Sequence, residues 1–273
     1  MLMEKIMYGL LGEKLGHSFS PEIHKLIFEK LQTDSKYELF EVERDELDKF
    51  IIDSKNKKIK GMNVTIPYKI EVMKYLDEIS LEASKISAVN TILFENGKLK
   101  GYNTDYYGFD MLLKKNKIEL KGKSVVVLGS GGAAKAVNQN LLDNEVKEVY
   151  VVSRDKSNPK NLFEGCKLIS YEELNNLEKA DIIINTTPIG MYPNTDEAPL
   201  PLEIFNKFSV AVDLIYNPKE TLFLQYAKKH NIKSVNGLYM LVGQAIKSQE
   251  IWNGISIDAQ ITDEIFIKVE ELI

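Results

Sequence analysis

The sequence predicts an α/β protein of two domains, and three observations carry that expectation. Strand-like and helix-like stretches alternate along nearly all of the 273 residues, the pattern of layered α/β folds. In the later part of the chain the strands become continuously apolar, in VVVL, VYVV, DIIIN and VAVDLIY, as strands buried on both faces of a parallel sheet are. Between the first of these strands and the helix that follows lies Gly129-Ser130-Gly131-Gly132-Ala133-Ala134, a glycine-rich strand-to-helix connection. A chain of this length has room for two cores of roughly 100–150 residues each.

The elements follow in order. Residues 6–11 read as a first strand, and Ser20 as N-cap with Pro21 at the first helical position opens a helix over 21–31. YELFEVE is a strand, ELDKFIIDSK a helix and NVTIP a strand. In NVTIP, Val64 and Ile66 give an oily side, Asn63 and Thr65 a polar one, and Pro67 ends the ladder. That stretch is either an edge strand with a wet face or the polar lining of a ligand cleft with Lys69 at its rim. Helical spacing resumes in YKIEVMKYL, and Asn96-Gly97 between two strand-like runs signals a hairpin. After Asp105 a helix, MLLKKNKIEL, leads to the apolar strands and to a helix over 133–142. The closing segments LYMLVGQAIKSQEIW and AQITDEIFIKVEELI are amphipathic helices. The expected divisions are 1–105, 106–238 and 239–273.

Composition narrows the classes. A formal net charge of −5 gives no broad cationic field for nucleic acid, and KNKKIK at 55–60 reads as a solvated loop. The single cysteine, Cys166, excludes an intrachain disulfide and fits a cytoplasmic setting. The N-terminal stretch carries charge early and lacks a small-residue cleavage site, so it reads as a strand rather than a secretion signal. No apolar run approaches the about 18 residues of a membrane span. No His/Cys/Asp spacing resembles a metal site.

The glycine turn carries the most legible chemistry. Glycines at 129 and 131 permit a tight turn and close backbone approach to a pyrophosphate, and Ala134 lets the helix pack near its strand. The helix N-terminus offers free N–H groups and partial positive charge to an anion. At the end of the second strand of this domain, where an NAD-specific fold places an acidic side chain, stand Ser153 and Arg154. A guanidinium suits a 2′-phosphate and favours NADP, whereas Asp155 beside it opposes that choice and keeps NAD open.

GHSFSPEIH, NVTIPYK, AVNT, GYNTD, GSGGAA, NTTPIGM, DLIYNP and GLYMLVGQA occur in that order over nearly the whole chain. Together they resemble the shikimate dehydrogenase family. The resemblance implies an N-terminal α/β substrate domain, a Rossmann-like doubly wound parallel-sheet cofactor domain, and C-terminal helices that pack back on the N-terminal domain. It implies NADPH-dependent reduction of 3-dehydroshikimate to shikimate, a step toward the aromatic amino acids, with a small-molecule substrate and a monomer or homodimer as the working form. Lys69 and Asp105 match the family's catalytic pair: a lysine ammonium beside a ring carbonyl stabilises the alkoxide and supplies its proton. Desolvation would lower the lysine pKa and a neighbouring carboxylate would oppose that shift. By the same resemblance Ser18, Ser20 and Tyr216 bind the substrate carboxylate, and Asn63, Thr65, Asn90 and Gln244 bind its hydroxyls and hold the ring. Gly129, Ser130, Gly131, Gly132, Ala133, Ser153, Arg154, Thr187, Leu214 and Gly237 match cofactor contacts.

Plainer roles compete at single positions: Ser20 as a helix cap, Asn90 as a turn residue, Gln244 as an outer helix position. His17 is read as supporting the serine loop rather than as catalytic, and His24 and His230 as ordinary helix residues. Two departures from the family pattern stand out: Ser130 for the more usual alanine, and Ser153-Arg154-Asp155 for the commoner Asn-Arg-Thr. The competing functions are a quinate/shikimate dehydrogenase using NAD, and a catalytically silent ligand sensor, which would have no need of both Lys69 and Asp105.

Overall fold

The strand and helix signals fold into two units, seen in a computed structural model that describes residues 5–16, 18–55, 57–157 and 163–273. One unit takes the chain up to Gly108 together with Val242–Leu272, and the other spans Phe109–Leu241.

In the first unit the order is β1 (Ile6–Gly12), α1 (Ser20–Leu31), β2 (Ser35–Glu41), α2 (Leu47–Ser54), β3 (Ile59–Val64), β4 (Glu78–Ile79), α3 (Leu81–Ile86), β5 (Thr91–Glu95), β6 (Lys98–Tyr102) and the start of α4 (Thr104–Lys115). The sheet runs β2-β1-β3-β5-β6-β4. Strands β1, β2 and β3 are parallel, and the hairpin β5–β6 adds antiparallel strands beside β3. Asn96 and Gly97 have φ of 53° and 77°, the paired left-handed residues that a two-residue hairpin turn requires.

The second unit continues with β7 (Ser124–Leu128), α5 (Gly132–Asp143), β8 (Glu148–Val152), β9 (Lys167–Ile169), α6 (Tyr171–Asn176), β10 (Ile182–Asn185), β11 (Val210–Asp213), α7 (Leu222–Lys229) and β12 (Lys233–Val235). Its sheet is wholly parallel, in the order β12-β11-β10-β7-β8-β9. Val125–Leu128 and Ile183–Ile184 are fully buried, which is why these strands read as unbroken apolar runs. The chain leaves β7 toward β8 on one side and later places β10 on the other, so β7 and β10 flank a topological switch point.

Two closing helices, α8 (Leu238–Asn253) and α9 (Ala259–Leu272), follow. From Val242 onward they belong to the first unit. Trp252 on α8 stacks on Tyr8 at 4.9 Å between ring centroids and donates from Nε1 to Ile92 O at 2.9 Å. A Cβ on Gly61 would lie 2.3 Å from the Trp252 ring, so glycine in β3 is what lets α8 approach the sheet.

Several local expectations need correction. NVTIP is not an edge strand: β3 lies between β1 and β5 and ends at Val64. Ile66, beyond that end, is 78% exposed rather than on an oily face, because alternation stops where the ladder stops. YKIEVMKYL forms a turn and a short 3₁₀ segment, Glu71–Tyr75, instead of an α-helix. Asp105 lies inside α4 rather than ahead of it. Ser20 is the first residue of α1 rather than its cap; the flanking position is Phe19, whose side chain makes no capping bond. His24 is not an ordinary helix residue but fully buried, and His17 lies outside the described residues.

Candidate active site

In the first unit, Lys69 and Asp105 come together. Lys69 lies in the turn after β3, its carbonyl accepting from Val89 N at 2.7 Å, and Asp105 sits in the first turn of α4. Lys69 Nζ lies 2.6 Å from Asp105 Oδ2, with side chains 22% and 15% exposed. This is a charge-assisted hydrogen bond largely sheltered from water, unlike the solvated pairs elsewhere on the surface.

Behind the pair lies a dry polar cluster. Asn63, on β3, is 5% exposed. Its Oδ1 accepts from the Tyr37 hydroxyl at 2.8 Å, and its Nδ2 donates to Thr91 Oγ1 at 3.0 Å and to Ser248 Oγ at 2.8 Å. Asn90, just ahead of β5, accepts at Oδ1 from Thr104 N at 2.7 Å, Thr104 Oγ1 at 3.1 Å and Thr91 Oγ1 at 3.0 Å. Its oxygen is thereby saturated, and what remains to offer a ligand is its NH₂. Ser18 Oγ accepts from Ser20 N at 3.2 Å, holding the entry to α1. Thr65 lies immediately past β3, its N–H still bonded to Leu11 O at 2.9 Å. Gln244 is half-buried on α8, one turn before Ser248.

His24 packs below this cluster, stacked on Tyr37 at 4.0 Å. Its Nδ1 meets Gln249 Nε2 at 2.9 Å, while Gln249 Oε1 accepts from Asn253 Nδ2 at 3.0 Å. The amide nitrogen therefore faces the ring, which fixes Nδ1 as acceptor and Nε2 as the protonated nitrogen. Burial pushes His24 down to about 3, opposed by the Asn63 amide, so the ring is neutral and structural.

The second unit gathers its predicted residues at the carboxyl ends of its strands. Gly129 has φ of +98°, and a Cβ there would meet Thr186 Oγ1 and Thr187 Cγ2 at 3.0 Å each, so both conformation and space demand glycine. An added Cβ at Gly131 or Gly132 meets no described heavy atom within 4 Å; glycine there leaves the backbone of the turn open to a ligand. No side chain caps α5, whose flanking residue is Gly131, so its first N–H groups face that opening. The turn fits a pyrophosphate bound on a helix N-terminus, with Ser130 and Ala133 completing the loop.

Ser153 lies immediately past β8, 7% exposed, its Oγ hydrogen-bonded with the backbone of Asp155. Arg154 is exposed, and its charge is felt at Tyr171, whose phenol burial pushes up and Arg154 draws down. Asp155 Oδ1 accepts from Ser157 N at 2.9 Å and Ser157 Oγ at 2.6 Å, so one carboxylate oxygen is turned into its own loop.

The ends of β10 and β11 are tied by Asp213, a residue that pattern reading passes over. Asp213 is fully buried. Its Oδ1 accepts from Asn185 Nδ2 at 3.0 Å and Ile215 N at 3.1 Å, and its Oδ2 from Thr221 Oγ1 at 2.5 Å. Asn185 Oδ1 in turn accepts from Thr187 N at 3.0 Å and Thr187 Oγ1 at 2.7 Å. Leu214 lies against Gly237: a Cβ there would stand 2.0 Å from Leu214 O. Tyr216 follows in the same loop, burial pushing its phenol up. The signal for Asp213 is an acid closing an apolar strand, VAVD, where a charge needs buried donors to survive.

Comparison with known proteins decides the family. Residues 10–92 match the family described as shikimate dehydrogenase substrate binding domain, and residues 111–192 that described as shikimate / quinate 5-dehydrogenase. The shikimate dehydrogenase (NADP(+)) of Clostridium beijerinckii is 52% identical over 260 residues, covering 95% of this chain and 96% of that protein. The chain belongs to the shikimate dehydrogenase family. A chorismate mutase/shikimate 5-dehydrogenase fusion protein from Clostridium acetobutylicum superimposes with a TM-score of 0.96 at 55% identity, over 99% of each chain. A Thermus thermophilus shikimate 5-dehydrogenase, solved with NADP(H) and shikimate, gives a TM-score of 0.85 at 33% identity, over 96% of this chain and 99% of that one. These likenesses bear out the expected substrate domain followed by a Rossmann-like cofactor domain. Among the described residues no helix is long and apolar enough to cross a membrane, and no group of His, Cys, Asp and Glu could hold a metal ion.

Proposed function

We propose that Lys69 and Asp105 perform the proton chemistry of a reversible, NADPH-dependent reduction of 3-dehydroshikimate to shikimate. The activity is that of the family, an NADP-dependent oxidoreductase acting on a CH–OH group in the pathway to the aromatic amino acids, and the alternative with quinate and NAD is not favoured. The observation that carries the residue roles is the sheltered 2.6 Å pair between Lys69 and Asp105.

NADPH, when bound, supplies the hydride. The chain must supply a place for the negative charge that develops on the ring carbonyl oxygen, and then a proton. The Lys69 ammonium does both, with one N–H given to Asp105 and the other two left to aim at the substrate. The second oxygen of Asp105 accepts from a ring hydroxyl. In the oxidative direction the same nitrogen takes the proton back. Asn90 donates to a ring oxygen through its NH₂, alongside Thr65 and Gln244, while Asn63, its amide spent on Tyr37, Thr91 and Ser248, acts by holding its neighbours. Ser18, Ser20 and Tyr216 bind the carboxylate through neutral donors.

On the cofactor side, the backbone of Gly129–Ala133 holds the pyrophosphate, Ser153 and Arg154 the 2′-phosphate end, and Thr187, Leu214 and Gly237 the nicotinamide ribose. Asp155, with Oδ1 given to Ser157, opposes the phosphate less than its position in the sequence suggests. A cytoplasmic monomer or homodimer is the form this reading takes. The lone Cys166 agrees with that location, since the chain has no intrachain disulfide for an oxidising compartment to maintain.

The test follows NADPH and NADH absorbance with 3-dehydroshikimate, and the reverse reaction with shikimate or quinate. The expected result is turnover with the NADPH and shikimate pair at the highest kcat/KM. No turnover with any pair would replace this reading with that of a ligand sensor.

A further inference from the structure

Ser248, on the part of α8 that belongs to the first unit, has no exposure to solvent. Its hydroxyl is where four elements meet. It donates to Gln244 O, one turn earlier on α8, at 2.9 Å, and accepts from Asn63 Nδ2 on β3 at 2.8 Å. It also lies 3.1 Å from Thr91 Oγ1 on β5 and 3.2 Å from Thr104 Oγ1 at the first residue of α4.

Groups with no choice of role set the directions. The Thr104 backbone N–H can only donate, so Asn90 turns its oxygen inward. With Asn63 Oδ1 on the Tyr37 hydroxyl, the Asn63 NH₂ faces Ser248 and Thr91. The Thr91 hydroxyl then gives its proton to Asn90 Oδ1, and the Thr104 hydroxyl shares its proton between Asn90 Oδ1 at 3.1 Å and Ser248 Oγ at 3.2 Å, where Ser248, its own proton on Gln244 O, can only accept. The protons of the Asn63 amide and of the Thr91, Thr104 and Ser248 hydroxyls each have an acceptor, and a satisfied buried network holds its members in one arrangement.

We propose that Ser248 is a positioning residue for the reaction: its hydroxyl fixes the first turn of α4, which carries Asp105, against the strand that leads to Lys69, and fixes the α8 turn that carries Gln244. This rests on the assignment of Lys69, Asp105 and Gln244 to the site. Removing the hydroxyl leaves an Asn63 N–H without its acceptor and frees Thr104 on the side facing α8. Small displacements of a reacting pair reduce the rate out of proportion to their effect on folding.

The experiment compares Ser248→Ala and Ser248→Cys with Ser54→Ala. Ser54 is also fully buried in the first unit and makes the same kind of one-turn bond, Oγ to Phe50 O at 2.7 Å, but away from the cluster. Wild-type turnover is measured first, since its failure refutes the functional reading and not this one. Ser248→Ala is expected to lower kcat by about five- to ten-fold and to raise KM for shikimate, the scale of one lost buried hydrogen bond, with KM for NADPH unchanged. Ser248→Cys recovers part of the loss. Ser54→Ala lowers Tm yet keeps both kinetic constants. Thr104→Val alone moves kcat in the same direction, and combined with Ser248→Ala the losses are less than additive. An active wild type with unaltered kcat and KM in Ser248→Ala overturns the proposal, as does an equal kcat loss in Ser54→Ala. Should Ser248→Ala fail to fold, an unaltered kcat in Thr104→Val overturns it instead.

Discussion

On the residue roles proposed above, the two units offer their ligand groups in opposite ways. In the first, the offered groups are side-chain ends, Lys69, Asp105 and the NH₂ of Asn90, each held by a neighbour that is itself held. In the second, they are largely backbone, a glycine turn and an uncapped helix start, with the side chains of Asn185, Asp213 and Thr187 spent on keeping loops in place. The difference follows from what each must bind. A small polyhydroxy ring carries its identity in the directions of its hydroxyls, which needs fixed side-chain polarity, whereas a pyrophosphate is met by any well-placed row of N–H groups.

The largest break in this contrast should come from Lys69→Ala, expected to lower kcat by ~10²–10⁴ with little change in KM for NADPH. Steady-state kinetics check it, and a near wild-type kcat would take lysine out of the mechanism. In the cofactor unit a backbone contact should be the vulnerable point. Gly237→Ala would place a methyl 2.0 Å from Leu214 O, so the backbone must shift, and KM for NADPH is expected to rise by about ten-fold or more. An unchanged KM would show that this loop does not shape the cofactor site.

Arg154→Ala should lower the ratio of kcat/KM for NADPH over NADH by ~10–100-fold, the scale of a charged hydrogen bond to phosphate. Equal ratios in mutant and wild type would move the 2′-phosphate elsewhere. The smallest effect concerns stability. Burial, against hydrogen bonds from Thr221, Ile215 and Asn185, raises the Asp213 pKa from 3.8 to about 7. With the folded value raised, the folded chain holds a proton that the unfolded chain gives up over this range. The contribution to stability is therefore complete below about pH 4 and lost as pH rises through about 7, by at most about 1.4 kcal/mol per pH unit. Tm should fall more steeply from about pH 4 to about pH 7 in the wild type than in Asp213→Asn, and identical slopes would show that Asp213 does not titrate there.

Legibility differed between the units for the same reason. The parallel strands, the glycine turn and the Asn96-Gly97 hairpin were plain because each is a local event: apolar runs, a positive φ, a two-residue turn. The stretch after Asn63 reads as more strand than forms, because the alternation that marks a strand continues past the point where β3 leaves its neighbours. Ser20 carries the signal of a cap because it precedes a proline, yet it forms the first residue of the helix. Ser248, Tyr37 and Asp213 gave weak signals or none, since each acts through partners far along the chain: Ser248 lies 185 positions from Asn63.

By itself the sequence determined which residue types were available and where turns and periodicities had to fall, and through its motifs the family, because those depend on neighbours within a few positions. Tertiary structure alone decided that the Lys69 amine meets Asp105, that the Asn63 amide and the Asn90 oxygen meet in one buried cluster, and that Asp213 ties two loops. A hydrogen bond's direction is set by every group that competes for the same proton, and those groups are gathered only when the chain has folded.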